Sequence, residues 1–525
     1  MLTHMVSTEL TNFLQRCRLK PFNHQLEGIH ALVENPTYAL FDEMGVGKTK
    51  QVIDAAQILY AQHKIDRVII VAPTPVRDVW YDEELGELQK HLWVGQHVSI
   101  TLFHAKNRTW TFGNGNEFNH PWDWIITNYE FIRKPKRLNE LLNLISDKTL
   151  LVLDESSAIK NYRALQTKAA IKLRKRCQRV ILLNGTPITL HPGDMFGQGQ
   201  AMDPNILACK SYFHFRSKYA VLGGFQGRQI ITWRNIEDIQ ERFKPYVIRR
   251  LKINCLDLPE KLEPVTITAT LTQDTWNIYK EMRDEMIAWL SVSTVSVASQ
   301  AVVKALRLSQ LTSGFLGGIQ AHEPIDVVDS DYLPGLDKSS NNTITPMPSL
   351  PPKEVSQEKL DVFLKWYDDR LNENPNLKLL VWCRFRPELS RLKKALSSYK
   401  IDIGAIHGGQ KQEDRNHALR LLDLRTMPEG PVVVVGTPAS GSMGLNLTAA
   451  HTVVYLSNDY SLKTRLQSED RVHRPGQTQA VSYFDVIAVG PQGQKTIDHA
   501  VMKSLRKKES LAMLTTNAWI SLLKD

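Results

Sequence analysis

Asp42-Glu43-Met44-Gly45-Val46-Gly47-Lys48-Thr49 holds residue types suited to gripping a polyphosphate. Gly45 and Gly47 let backbone N–H groups approach phosphate oxygens, and a helix beginning at Lys48 would favour negative charge at its N-terminus. Lys48 would pair with β/γ-phosphates, and the Thr49 hydroxyl would ligate Mg²⁺. Asp42 stands where the strict Gly-x4-Gly-Lys-Thr form has its first glycine. A second group is Asp154-Glu155, directly after the apolar run Leu150–Leu153. Asp154 would hold Mg²⁺, and Glu155 would orient and deprotonate an attacking water. A third is Arg471 and Arg474, three apart and so on one face if helical. Guanidinium groups of this kind stabilise a γ-phosphate in transit. These groups lie near opposite ends of the sequence, so one nucleotide is expected to be held between two domains.

The elements that must carry them follow from the hydrophobic pattern. Short apolar runs at Tyr38–Phe41, Val68–Val71, Trp124–Ile126, Leu150–Leu153 and Val180–Leu183 are spaced by helical stretches. A second set comprises Leu379–Trp382, Ile401–Ile406, Val432–Val435, Val453–Leu456 and Val481–Ile487. Unbroken runs of this length predict strands of parallel sheets covered on both faces. The fold class is therefore α/β, with two parallel-sheet lobes. Val52, Ala55, Ala56 and Leu59 form an apolar stripe that places a helix directly after the phosphate loop. Residues 205–250 and 270–317 read as mainly helical, the latter from Trp276, Tyr279, Met282 and Met286. Residues 319–356 read as a proline-rich connector.

A chain of 525 residues exceeds what one core serves. Its five cysteines form no Cys-x-x-Cys pair, which points away from zinc sites and disulfide frameworks. A formal charge of +10 favours polyanionic partners. No apolar stretch approaches a membrane span and no signal core opens the chain, so a cytoplasmic protein (bacterial or host-cell), not bound to membrane, is expected.

Over roughly residues 19–510 the chain resembles the Swi/Snf-type helicase-like ATPases of helicase superfamily two. Leu19-Lys20-Pro21-Phe22-Asn23-His24-Gln25 is similar to the family's opening motif, implying an adenine contact for Gln25. Asp42–Thr49 is similar to motif I. Asp154-Glu155-Ser156-Ser157 is similar to the Asp-Glu-x-His box, with Ser157 in the histidine's place. Leu183-Asn184-Gly185-Thr186-Pro187 resembles motif III. Lys244–Arg250 and Leu258-Pro259-Glu260-Lys261 resemble the segment that closes the family's first lobe, and Leu306–Gln310 its helical protrusion. Trp382–Phe385 resembles motif IV, Ser440–Ala449 motif V, and Gln467–Gln477 motif VI.

The resemblance implies two RecA-like lobes with helical insertions typical of Swi/Snf-type motors. The expected layout is an ATP-binding lobe over 1–250 with a helical insertion at about 191–250. A helical protrusion over 251–318, the connector, and a helicase lobe over 357–525 with terminal helices follow. The resemblance further implies nucleotide-side roles for Gly444 and Gln467 and finger roles for Arg471 and Arg474. Arg77, Asn128, His407, Thr437 and Ser440 are expected to meet the nucleic-acid backbone, through contacts that position without reading sequence. His473 and the pair Trp122 and Trp124 are expected to be structural.

Together these readings predict an ATP- and Mg²⁺-dependent translocase on double-stranded DNA, monomeric and compatible with a targeting protein partner. Remodelling of protein–DNA or branched DNA would be its output. A strand-separating DNA or RNA helicase and a non-catalytic ATP-gated binding protein are the alternatives.

Overall fold

The computed structural model describes residues 13–81, 86–94, 96–105, 107–112, 122–185, 192–223, 229–292, 298–317, 352–441, 445, 447–459, 461–503 and 505. Gly444, Thr186, Pro187, Asn446, most of the connector and the chain beyond 505 lie outside these residues, as does the Met286 side chain.

In the first unit, strands β1 (Thr37–Leu40), β2 (Arg67–Ala72), β3 (Val98–Leu102), β4 (Arg108–Phe112), β5 (Trp122–Asn128), β6 (Thr149–Leu153) and β7 (Arg179–Leu183) share one sheet. A pair of short strands, β8 (Ala220–Gly223) and β9 (Gln229–Trp233), stands apart, and β10 (Val247–Ile248) returns to the large sheet beside β1. The order is β10-β1-β7-β6-β2-β5-β3-β4, parallel throughout except for β4. Parallel pairing demands cover on both faces, and β2 shows how the sequence supplies it. Ile69 and Val71 enter one buried cluster with Leu151 and Leu153, while Val68, Ile70 and Ala72 enter the other with Leu150 and Val152. Trp122 and Trp124 belong to that second cluster, at 2% and 0% exposure, as core residues.

The second unit begins at Leu258. Strands β11 (Val265–Thr270), β12 (Phe315–Leu316), β13 (Lys353–Glu354), β14 (Lys378–Trp382), β15 (Asp402–Ile406), β16 (Val432–Gly436), β17 (Thr452–Tyr455) and β18 (Ser482–Val489) follow in turn. Six of them form a parallel sheet in the order β11-β18-β17-β14-β16-β15. The same alternation recurs. Leu380, Trp382, Val432 and Val434 face one cluster, and Leu379, Val381, Val433 and Val435 the other. Helix Gln273–Val292 stacks Trp276 on Tyr279, and both join Leu308, Leu311 and Ala488 in a separate small core.

Two expectations need correction. Residues 205–250 are not mainly helical: they include the β8–β9 pair and β10, besides helices Tyr212–Tyr219 and Ile236–Phe243. The span 251–318 is not purely a helical protrusion, since β11 within it is an edge strand of the second sheet. The physical reason is exposure. Val-Thr-Ile-Thr-Ala-Thr of β11 alternates and buries only Ala269 fully, so it lacks the unbroken apolar run of a central strand.

Below β14 lies a buried acid. Glu388, on helix Arg386–Leu396, is 3% exposed, and its Oε2 accepts from Ser457 Oγ at 2.5 Å. Burial pushes its carboxyl up to about 7, only partly offset by Lys359 and the Ser457 hydrogen bond, with Asp498 adding to the rise. Arg391 lines the same cleft, and the Cys383 thiol is buried close by. A raised carboxyl favours the fold while neutral, so its contribution is complete below the unfolded value near 4.5 and is lost as pH climbs through about 7. Glu388→Gln should therefore stabilise the second unit above about pH 7, by on the order of 3 kcal/mol, and have little effect below about pH 5. Thermal melts of both proteins across that range check this; a parallel pair of curves refutes it.

Candidate functional site

The phosphate loop leaves β1 and enters helix Lys48–Ala61. Gly45 and Gly47 have φ of 83° and 85°, a left-handed geometry costly for any side chain. A methyl on Gly47 would also collide with the Gln25 amide. Lys48 Nζ donates to Asp42 O at 2.7 Å and Glu43 O at 3.1 Å, folding the loop around its own ammonium. Thr49 follows in the first helical turn, half-exposed.

Asp42 explains its own departure from glycine. Its carboxylate is fully buried and gripped by Arg250, whose Nη2 lies 2.6 Å from Oδ2 and whose Nε and backbone N lie 3.1 and 3.0 Å from Oδ1. Gln51 adds a bond at 3.4 Å to Oδ2. The closing segment of the first unit is thus bound into the phosphate loop.

Gln25 meets that loop too. Its Nε2 donates to Val46 O at 3.3 Å and its Oε1 accepts from Phe22 N at 3.0 Å, beside His24 Nε2 at 3.0 Å from Val46 O. At 4% exposure, the amide expected to read adenine is engaged with the loop itself.

At the carboxyl end of β6, Asp154 is 7% exposed. Its Oδ2 accepts from Trp80 Nε1 and its Oδ1 from Glu155 N, both at 2.8 Å. Burial first, then the Glu155 charge, push its carboxyl up to about 6, against the hydrogen bonds and the Lys48 ammonium. A buried acid disfavoured by its neighbour's charge suits a hard cation, and with the Thr49 hydroxyl it gives the oxygen donors that Mg²⁺ prefers. Among the described residues no cluster of three or more His, Cys, Asp or Glu could hold a metal. Glu155 sits at φ 47°, ψ 54°, left-handed without being glycine. Such strain persists only where the surroundings enforce it, and it clusters at active sites. Behind it, Gln198 Oε1 accepts from Ser156 Oγ at 2.7 Å and Asn184 Nδ2 at 3.2 Å, joining the acidic box to the end of β7. Ser157, in the histidine's place, is buried at 7%.

In the second unit, helix Leu462–Glu469 ends before the arginines. Arg471 and Arg474 are not on one helical face, as expected, but in the turns that follow. Val472 N reaches Glu469 O at 3.1 Å and Gln477 N reaches Arg474 O at 3.0 Å. Pro475 disfavours the helical region at Arg474, and Gly476 has φ 101°. Leu447 N donates to Arg471 O at 3.1 Å and Arg474 Nη1 donates to Leu445 O at 2.9 Å, so the arginine turn is tied to the segment flanking Gly444. Gln467 is buried on the preceding helix. His473 Nε2 lies 2.8 Å from Pro259 O, a structural tie.

Of the five positions expected to meet nucleic acid, Asn128, His407 and Thr437 fall at strand ends, while Arg77 and Ser440 lie on the helices Thr74–Tyr81 and Pro438–Gly441 that follow β2 and β16. Asn128 ends β5, but its polar atoms are committed: Oδ1 caps Phe131 N at 2.7 Å and Nδ2 donates to Thr74 Oγ1 at 2.8 Å. Arg77 is 9% exposed and lies over the Tyr81 ring at 5.8 Å. In the second unit, His407 follows β15 and Thr437 follows β16, with Thr437 Oγ1 and Ser440 Oγ 2.9 Å apart. Exposed Arg386 comes within reach of the same group, its guanidinium against Gly408 and Gly409. Sequence reasoning passed over Arg386, Trp80 and Gln198, and read Arg250 only as part of the segment closing the first lobe. The signal for Arg250 was the anomaly at Asp42, a buried acid awaiting a cation.

A model of the SNF2-related domain matches residues 24–314, and one of the helicase conserved C-terminal domain matches residues 358–476. The chain belongs to the SNF2-related family. SNF2-related proteins are helicase-like ATPases, and by membership this chain is one. Similar curated proteins include an uncharacterized ATP-dependent helicase, MG018, of Mycoplasma genitalium, 25% identical over 94% of this chain and 42% of that protein. Another is the SWI/SNF-related matrix-associated actin-dependent regulator of chromatin subfamily A-like protein 1 homolog of Caenorhabditis elegans, 24% identical over 93% of this chain and 60% of that one. The chain spans about half the length of the curated relatives it matches. Among solved structures, the Sulfolobus solfataricus SWI2/SNF2 ATPase core in complex with dsDNA is 20% identical, with a TM-score of 0.39, covering 96% of this chain and 95% of that one. Among the described residues of this SNF2-related chain, no helix is long and apolar enough to cross a membrane.

Proposed function

We propose that the chain is an ATP-dependent translocase on double-stranded DNA, using nucleotide turnover to remodel protein–DNA or branched DNA structures. The observation that supports it most is the first unit's half-site. Left-handed Gly45 and Gly47, Lys48 at a helix N-terminus, and the buried Asp154 beside a strained Glu155 follow the carboxyl ends of β1 and β6, parallel strands of one sheet with β7 between them. In this reading Lys48 and the loop N–H groups hold the phosphates, Thr49 and Asp154 hold Mg²⁺, and Glu155 accepts the proton of the attacking water. Mg²⁺ supplies charge neutralisation of the phosphates. Arg471 and Arg474, from the second unit, stabilise the transferred phosphoryl, so nucleotide binding favours approach of the lobes and product release their separation. His407, Thr437, Ser440 and Arg386, which follow β14–β16, would bind a phosphate backbone in this reading.

ATPase rates with duplex DNA, single-stranded DNA and RNA test this directly. The expected result is strongest stimulation by duplex. Stimulation by RNA alone defeats the proposal.

One observation favours strand separation instead. The β8–β9 pair is a separate two-stranded sheet with exposed apolar side chains, Ile231 at 66% and Leu222 at 38% exposure. A forked duplex with labelled strands separates the readings, because a translocase displaces a triplex strand without processively unwinding the fork.

A further inference from the structure

Residues 247–262 are fastened at both ends to groups that carry the chemistry. At the near end β10 lies parallel to β1, and the ladder continues past the strand into the phosphate loop. Phe41 N donates to Ile248 O and Glu43 N to Arg250 O, both at 2.9 Å. Side chains reinforce it. Arg249 Nη1 donates to Phe41 O at 3.2 Å, Arg250 grips Asp42, and Lys252 N donates to Glu43 Oε2 at 2.7 Å. Lys48 holds the carbonyls of Asp42 and Glu43, so the phosphate-binding lysine and this segment grip the same residues. The fit is close: a methyl group on Gly28 would collide with Gln51, itself bonded to Arg250 at 2.8 Å.

At the far end the fastening is to the arginine turn. Lys261 Nζ lies 2.6 Å from Glu469 Oε2, and Glu469 O receives His473 N at 3.1 Å. His473 Nε2 donates to Pro259 O at 2.8 Å. Val481 N donates to Glu260 O and Leu262 N to Val481 O, both at 3.0 Å. Residues 469–473 are those that lead into and contain Arg471.

Between the two fastenings runs one short exposed stretch, with Ile253 at 83% exposure, and the chain passes from the first unit to the second at Asp257–Leu258. Lys252 to Pro259 is seven peptide steps, which cannot span more than about 25 Å even when fully extended.

We infer that residues 247–262 form a strap that positions both reacting groups, with Arg250 acting on the phosphate loop through Asp42 and Lys261 acting on the arginine turn through Glu469. Neither residue touches nucleotide in this scheme; each is a positioning residue. In this scheme movement of one lobe is passed along the connecting segment, whose Lys252–Cys255 stretch is helical, to the loop of the other, and the strap's length limits how far the arginines withdraw between turnovers. The inference rests on the proposed ATPase cycle.

The test lengthens the strap with a short Gly-Ser insertion between Cys255 and Leu256, and places the same insertion at the exposed Gln492–Gly493 turn as a control. Duplex-stimulated turnover should fall about a hundredfold in the strap variant, since small misplacements of reacting groups are that costly. ADP affinity, read by titration of a fluorescent analogue, should hold, and the control should turn over normally. Lys261→Met should lose turnover in the same way, with Lys261→Arg restoring most of it. If the insertion lowers the melting temperature, this second pair decides the matter. Turnover near the parent level in both the insertion and Lys261→Met overturns the strap. A parent protein without duplex-stimulated turnover overturns the proposed function instead, so the two failures are distinct.

Discussion

Arg474→Ala lowers ATP turnover by about 10³–10⁵-fold, the range expected when a guanidinium beside a transferred phosphoryl is removed. The side chain is half-exposed, and its Nη1 donates to Leu445 O at 2.9 Å. Its removal leaves the turn held by Gln477, whose Nε2 donates to Thr448 O, Ala450 O and Val472 O. The fold should therefore survive. ADP affinity should change little, because the contact belongs to the transition state. Arg474→Lys should not rescue, since a point charge cannot reproduce a planar fork. Steady-state rates beside nucleotide titrations check this. Equal losses in binding and turnover would reassign Arg474 to ground-state holding.

Glu155→Gln lowers turnover by about 10²–10⁴-fold, the usual worth of a positioned general base. Glutamine keeps the length and the backbone demand of glutamate but cannot accept the water's proton. Melting should be unchanged, because the strain at φ 47° is paid for by either side chain. Glu155→Gly relieves that strain and should be equally inactive yet no less stable. An active Glu155→Gln protein would remove the base from this position.

The central strands were legible because burial on both faces writes itself as unbroken apolar runs, as at Leu150–Leu153 and Val432–Val435. Strands with one open face were not. Val98–Leu102, Arg108–Phe112 and Val265–Thr270 alternate, and β10 is only two residues long. The phosphate loop and acidic pair were legible because their chemistry is local in sequence. Partners brought in from a distance were not: Arg250 reaches Asp42 from 208 residues away, and Gln198 reaches Ser156 from 42. The helical spacing of Arg471 and Arg474 misled because Pro475 and Gly476 end the helix, a local signal outweighed by the periodicity. The left-handed backbone of Glu155 leaves no mark in residue type at all.

The pairing of β11 with β18 has a bearing on how the chain is made. Val265 lies opposite Phe484, so an early-synthesised edge waits for the last strand of its sheet before it has a neighbour. The described strands of the first sheet are all made by Ile248 and can close on the ribosome, whereas the second sheet remains open until Ser482–Val489 has been made. Stalled or truncated products ending before Ser482 would consequently expose an unpaired β-edge, a template for aggregation and a handle for quality control.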